Sequence, residues 1–386
     1  MPHSHVRHKI EYALRQEVNE LYASVTIKQI AFSMIAIFEP IYLYTYFDRN
    51  IFIVLLYFAC IYLGFAFAST LAGSVLSRLG VKHSILVSVF LAIGYFLGLN
   101  NIGNAHWLIY VIAVILILYK LFFWPAFHLD FARFSQGQKR AQQVSVLKMI
   151  TLASGILGPF AGGLVIVRYG YHPLFMIVVL LLIASVIPLF FSKEIYNTFN
   201  FSIRNFYRSI FSPALRRTEL ALFAWGNEEM ASTLLWPIFM FIFIVDFSVI
   251  GGITSATTVI AFLSAYWIGR VTDRIGRPKM LRLGSILTFF AWIFRSLVRL
   301  PFHIGLADGF YKLSQEGSYI GFNAVIYDKA SQNASNTFSF ILLREITMNL
   351  GKFAGVAVAA VLIAVSGSLA PTFILAGISS LFFMFL

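Results

Sequence analysis

The chain has 386 residues, of which 59% are hydrophobic, 17% aromatic and 12% charged, about half the charged share of an ordinary soluble protein. That balance excludes a soluble globular domain and makes lipid the expected solvent. A net charge of +13 would suit a nucleic-acid partner, but the basic residues sit in alternate loops between apolar runs, which excludes that reading.

Residues 1 to about 20 are polar and charged and run directly into an apolar stretch, so no cleavable signal peptide is expected. His3, His5 and His8 belong to this polar start and are not read as a metal tract. Apolar runs between polar or Gly/Pro punctuation then predict twelve membrane spans. In the first half they cover roughly 21–47, 51–77, 84–100, 106–130, 143–168 and 172–192. In the second half they cover 218–246, 249–272, 281–300, 304–328, 338–365 and 371–386. Each long run suffices to cross a ~30 Å hydrocarbon layer as a helix. Backbone groups in lipid must bond within their own segment, so the expected fold class is an all-α integral membrane protein of two pseudo-symmetric six-helix bundles. The expected division is 1–192 and 218–386, joined by a linker over 193–217 in which Arg204, Arg208, Arg216 and Arg217 alternate with Phe201, Phe206, Tyr207 and Phe211. Such a stretch reads as an amphipathic segment on an anionic lipid surface. The last run would reach only ~24 Å at 1.5 Å per residue, so its helix is expected to be truncated.

Nineteen Lys and Arg fall in the segments on the side of the N-terminus and the linker, against three (Arg49, Arg168 and Arg299) on the other side. The positive-inside rule therefore places the N-terminus and the linker in the cytoplasm and the protein in the cytoplasmic (inner) membrane. The single cysteine, Cys60, excludes a disulfide framework or a cysteine metal cluster.

Between the eighth and ninth runs stands a basic turn, Gly269-Arg270-Val271-Thr272-Asp273-Arg274-Ile275-Gly276-Arg277-Pro278-Lys279, and its echo begins at Gly73. The earlier copy keeps Gly73, Arg78 and Gly80, with Lys82 one place early, but has Ser77 for the acid and Val81 for the second arginine. One turn present once per half implies an internal repeat. Glycine supplies the positive φ of a tight turn and allows close helix approach, and an acid at a helix end can hold a neighbouring arginine.

Six plus six runs, a long basic central loop and this Gly-x-x-x-Asp-Arg-x-Gly-Arg-x-Lys turn together resemble the major facilitator superfamily of secondary transporters. The resemblance implies two bundles around a central cavity lined by helices 1, 4, 7 and 10, with the turns latching one bundle to the other. In the fifth run, Gly155-Ile156-Leu157-Gly158-Pro159-Phe160-Ala161-Gly162-Gly163 resembles the signature of drug/proton antiporters through Gly158, Pro159, Gly162 and Gly163. It forms a smooth, kinkable face that lets a neighbouring helix approach closely.

An ionisable group at mid-bilayer costs at least ~2.5–3.5 kcal/mol, so those present need partners or a wet path. Asp308, Lys312 and Glu316 follow at i+4 in the tenth run, with Asn323 continuing the stripe, so Lys312 can pair with either acid. In the seventh run Trp225, Glu229, Ser232 and Trp236 are expected on one face, with Glu228 about 100° away; either acid is a candidate for the cavity, and Glu229 is favoured. Lys120, Trp124 and His128 stack in the fourth run, and Glu39 precedes Pro40 in the first. Lys28 is expected to snorkel to one surface and Arg295 to the other.

The function expected is secondary active transport of a small organic solute by alternating access, proton-coupled and outward. Glu39, Glu229, Asp308 and Glu316 are the candidate proton carriers, and Lys120 and Lys312 their charge partners. The partners are the solute, protons or another coupling cation, and the lipid bilayer; no cofactor, metal or enzymatic activity is expected, and a monomer is. An uptake symporter or lysolipid-type flippase is the alternative, and a transport-dead sensor or scaffold a further one. Because only the second turn keeps its acid, Asp273→Asn should impair solute transport in proteoliposomes while Ser77→Asp is tolerated. Normal transport by the Asp273 variant would reduce the turn to a positive-inside anchor.

Overall fold

The computed structural model describes residues 23–134, 140–191, 213–331 and 337–386. The residues 1–22 and most of the 193–217 linker lie outside the described residues. Among the described residues the secondary structure is helical throughout, as the lipid constraint requires.

Among the described residues the helices group into twelve. α1 is a bent pair, Ala23–Ile35 and Phe38–Tyr46, with 42° between its parts. The bend falls where Pro40, having no N–H, leaves the carbonyl of Ala36 without its i+4 donor. Ile51–Ala68 continues through a tight turn at Ser69–Leu71 into Ala72–Asn101, which breaks at Gly80 (φ 76°, ψ 169°). Residues 51–79 are α2 and 81–101 are α3. α4 is Leu108–Phe134, α5 Arg140–Tyr169 and α6 Tyr171–Phe191. α7 runs from Arg216–Met230 through a π-turn at Ala231–Leu235 into Trp236–Ile244. α8 is Phe247–Ile275, α9 Arg277–Ser296, α10 Pro301–Ser331, α11 Thr337–Ser366 and α12 Ala370–Leu381. Among the described residues, and with Ile51–Asn101 taken as one unbroken helix, six helices are long and apolar enough to cross a membrane by length and composition, or seven with the bent pair.

The two turn copies share one backbone device. Gly80 and Gly276 occupy matching places and both have positive φ, 76° and 90°, which an L side chain adopts at a cost. The caps of the opposite loops are side chains. Asn50 accepts from Phe52 N and Ile53 N at the start of α2, and Asp246 accepts from Ser248 N and Val249 N at the start of α8. The Ser248 hydroxyl, with these two N–H groups, holds the Asp246 carboxyl below the usual range.

α2, α3, α4 and α6 pack among themselves, as do α7, α9, α10, α11 and α12. The two sets meet along two long seams, α5 against α8 and α2 against α11. Bare backbone makes the first seam: a Cβ on Gly163 would lie 2.3 Å from Phe247 O, and one on Gly251 would lie 2.3 Å from Pro159 O. Ser255 Oγ accepts from Phe160 N at 3.1 Å. The other face of α5 presses on α1, where a Cβ on Gly162 would lie 2.1 Å from Met34 O and one on Gly158 1.9 Å from Ser33 Oγ. In lipid, helices associate through such close packing because no hydrophobic gain separates them from the tails. The α7–α11 crossing is built the same way, with Gly226 on Met348 O and Gly351 on Phe223 O.

Gly351→Val therefore forces a branched side chain against the carbonyl of Phe223. The variant should lose at least ~1–3 kcal/mol, read as a lower Tm of the detergent-solubilised protein, whereas Gly252→Ala, with nothing within 4 Å of the new methyl, should leave Tm unchanged.

Candidate functional site

Charges from both sets of helices converge between the seams. Glu229 of α7 pairs with Lys352 of α11, Nζ to Oε1 2.9 Å. Lys352 Nζ also lies 5.8 Å from the ring of Tyr62 on α2, and Lys120 Nζ of α4 lies 5.2 Å from the same ring. A tyrosine face is thus shared by two cations, a geometry ring quadrupoles favour. The Glu229 side chain keeps 33% of its surface open, so this group is the accessible acid of the cluster.

A second cluster is enclosed by α7 to α10. Asp308, 3% exposed, receives Arg295 Nη2 at 2.6 Å, Trp236 Nε1 at 2.9 Å and Thr257 Oγ1 at 2.5 Å. Lys312 Nζ stands 3.3 Å from Asp308 and donates to Thr254 O, Thr257 Oγ1 and Thr258 Oγ1, each at 2.9 Å. The Arg295 guanidinium lies 3.6 Å from the ring centre of Tyr311 and 4.0 Å from that of Trp236. Glu228, fully buried, accepts from Trp292 Nε1 at 3.0 Å and Tyr311 Oη at 2.6 Å. Two acids, two cations and three aromatic donors share one dry compartment, where a charge survives only because each is bonded.

The first set of helices has smaller polar features. Glu39, beside the break in α1, accepts from Tyr95 Oη at 2.6 Å. Lys28 Nζ sits 2.9 Å from the ring centre of Phe123 with no hydrogen-bond partner among the described residues.

Both ends of the seam between the sets are closed. At the end bearing the basic turns, Lys148 of α5 pairs with Glu316 of α10 at 3.4 Å and lies over Tyr319. There too His128 of α4 meets Tyr327 of α10 and Arg344 of α11. At the opposite end Phe247 of α8 packs against Phe38 of α1 and Tyr171 of α6, with ring centres 6.1 and 5.6 Å apart. A cavity of ≈ 270 Å³ indents that end beside Tyr44, Phe239 and Arg299.

Several sequence expectations change in these surroundings. Lys312 joins Asp308 and leaves Glu316 to Lys148, because the stripe on α10 spans two different neighbours. Trp225, Glu229 and Trp236 do not share a face. Trp225 stacks on Phe322 and meets Phe383 at a tilt, Glu229 turns to α11, and the π-turn at Ala231–Leu235 rotates Trp236 to Asp308, since an extra residue per turn shifts the register. Asn323 only donates to Tyr319 O at 3.0 Å, and Trp124 stacks on His128. Lys28 and Arg295 are 3% and 1% exposed and do not snorkel, because aromatic rings and Asp308 receive them inside. Arg277 bonds Asp328 of α10, and Arg274 is exposed; the side chain of Asp273 lies outside the described residues. Tyr62, Tyr311, Trp292 and Tyr95 are the residues sequence reasoning missed; all four are aromatic, and nothing in a 17% aromatic chain marks such rings.

Twelve helices meeting along two long seams around paired charges define a membrane transporter. The model of the Major Facilitator Superfamily matches residues 21–226, more than half of the chain, and the chain belongs to that family. The multidrug resistance protein MdtG of Escherichia fergusonii is 26% identical over 317 residues, covering 78% of this chain and 77% of that protein. The MdtG of Citrobacter koseri is 27% identical over 226 residues, and the match spans 54% of each. Among solved structures, the human organic anion transporter MFSD10 (TETRAN) superposes with a TM-score of 0.73 at 12% identity, covering 96% of this chain and 99% of that one. The Escherichia coli fucose:proton symporter FucP gives 0.69 at 14%, covering 95% and 96%. These two share the fold.

Removing one member of the buried pair leaves the other charged and alone. Asp308→Asn should therefore cost ~3–5 kcal/mol in thermal unfolding, and adding Arg295→Met should recover much of that loss. A double variant no more stable than the single one would show that Arg295 does not depend on Asp308.

Proposed function

We propose that the protein exports a small organic solute in exchange for protons, by alternating access between the bundles 1–192 and 218–386. The observation that carries this is the Glu229–Lys352 pair beside Tyr62 and Lys120, placed between two closed ends and contributed by both sets of helices. Rocking one set against the other opens either end alone while this cluster stays in the path. Export draws support from the MdtG relatives, described as multidrug resistance proteins, and from the glycine face of α5, which lets α1 and α8 approach to backbone contact. Glu229 is the first proton carrier, being the exposed acid with a single lysine partner. Protonating it frees the Lys352 ammonium beside Tyr62 and Lys120 and so changes the charge that the solute meets between the two sets. Glu39, Asp308 and Glu316 are the further carriers, and Lys120 offers a contact for an anionic group of the solute. In this reading the end bearing the basic turns faces the cytoplasm, the protein works as a monomer in the inner membrane, and residues 193–217 tether the bundles at the lipid surface.

The test is pH-gradient-driven movement of a panel of fluorescent organic cations and anions in proteoliposomes. Glu229→Gln should slow driven transport about tenfold or more, equivalent to ~1.4 kcal/mol or more, while gradient-free exchange of the same dye persists. Wild-type driven rates in Glu229→Gln and Glu316→Gln alike would remove the proton assignment.

A further inference from the structure

The closure at the basic end contains a group to which no role has yet been given. His128 is 4% exposed near the end of α4. Its Nδ1 lies 2.6 Å from Tyr327 Oη on α10, and its Nε2 lies 2.8 Å from Arg344 Nη1 on α11. Trp124 covers one face of the ring, with centres 5.4 Å apart and planes 16° from parallel. Glu345, the neighbour of Arg344, is bonded to Arg344 and has Oε1 3.5 Å from His128 Nε2.

The chemistry of the partners sets the tautomer. A guanidinium has five N–H donors and no acceptor, so the Arg344 contact requires a lone pair on Nε2. The one remaining ring hydrogen is then on Nδ1 and is donated to Tyr327. Both bonds exist together only while the imidazole is neutral. A proton added to the Nε2 lone pair turns that nitrogen into a donor facing another donor, and places two cations 2.8 Å apart in a site with almost no water. Glu345 Oε1 is the nearest acceptor for the new N–H, so histidinium competes with Arg344 for one carboxylate.

We propose that His128 Nε2 is a proton-binding site whose occupation unlatches α4 from α11 and opens the basic end of the seam. The proposal rests on the alternating-access reading and adds to it a named trigger. Among the described residues the charged and titratable groups facing the ring are Tyr327 from α10 and Arg344 and Glu345 from α11; from α4 itself it meets the uncharged Trp124. Lys148 and Glu316 form a second strut of the same closure, between α5 and α10. His128 differs from every carboxylate in the seam because an imidazole released to water changes charge between pH 5 and 8, so a falling pH favours the arrangement in which the ring has left Arg344. The sign follows: the neutral ring holds the basic end shut, and the charged ring releases it.

The experiment uses the full chain with Cys60→Ser and spin labels on Leu79→Cys and Ile275→Cys, exposed positions at the basic ends of α2 and α8. The distance between labels is measured in lipid nanodiscs at pH ~8 and ~5, across the imidazole range. With His128 intact, the ratio of long to short distances should rise at least about tenfold at the lower pH. His128→Gln keeps both bonds, its carbonyl accepting from Arg344 and its amide donating to Tyr327, and should hold the short distance at both values. A pH response in His128→Gln equal to that of the intact protein overturns the proposal, as does the absence of any response with His128 present. If the labels respond as expected but no solute moves under any gradient, the transport reading fails and the latch stands. If driven transport and the label response both persist in His128→Gln, the latch fails and transport stands.

Discussion

The constraint on which the structure depends is the cost of a charge in hydrocarbon. Most of the buried ion pairs join different helices, and hydroxyls or aromatic rings stand beside their charged groups. Asp308 shows the extreme, receiving a guanidinium, an indole N–H and a hydroxyl and standing beside an ammonium. Such a compartment is costly to assemble and more costly to leave half-made. Buried pairs therefore do two things at once: they specify which helices are neighbours, and they store an electrostatic penalty that a single proton can redistribute. The pairs inside α7 to α10 serve the first purpose, since all their members belong to one set of helices. The pairs that cross between sets, Lys148–Glu316 and His128–Arg344, are placed to serve the second.

The backbone answers the same solvent with glycine. Where α5 meets α1 and α8, and where α7 meets α11, carbonyl oxygens come within about van der Waals contact of the bare Cα atoms. Smooth contacts have few interlocking side chains to lift out, so two helices can slide with little repacking. Of these contacts, α5–α8 joins the two sets, while α5–α1 and α7–α11 lie inside one set beside the aromatic and aliphatic packing that keeps it rigid. Phe32 of α1 illustrates the rigid kind, its ring meeting both Phe96 of α3 and Tyr119 of α4.

Much of the fold was legible because hydropathy and loop charge are sums over many residues, and no single misreading changes them. The turn copies were legible for a different reason: only glycine fits the positive φ at Gly80 and Gly276 without cost, so the motif survives as letters. The site was less legible. Helical spacing placed Asp308 with Lys312 correctly, because both lie on one regular helix. It placed Trp225, Glu229 and Trp236 together wrongly, because the π-turn at Ala231–Leu235 breaks the period that spacing assumes. Lys28 and Arg295 were misplaced because the snorkelling expectation treats a long cation as alone in lipid, whereas Phe123, Tyr311 and Asp308 were waiting on other helices.

Partners across helices are the information a linear reading lacks, and His128 shows why this matters for function. On its own helix it is one histidine two turns from Lys120, with nothing to distinguish it from a packing residue. Only when Arg344 arrives from 216 residues away does the ring acquire a required tautomer, and with it a protonation state tied to the closed arrangement of the helices. A guanidinium cannot accept a hydrogen, so this coupling is a matter of valence as well as field strength. Screening or a shifted local dielectric would weaken a purely Coulombic latch; it would leave this bond unable to form on a charged ring.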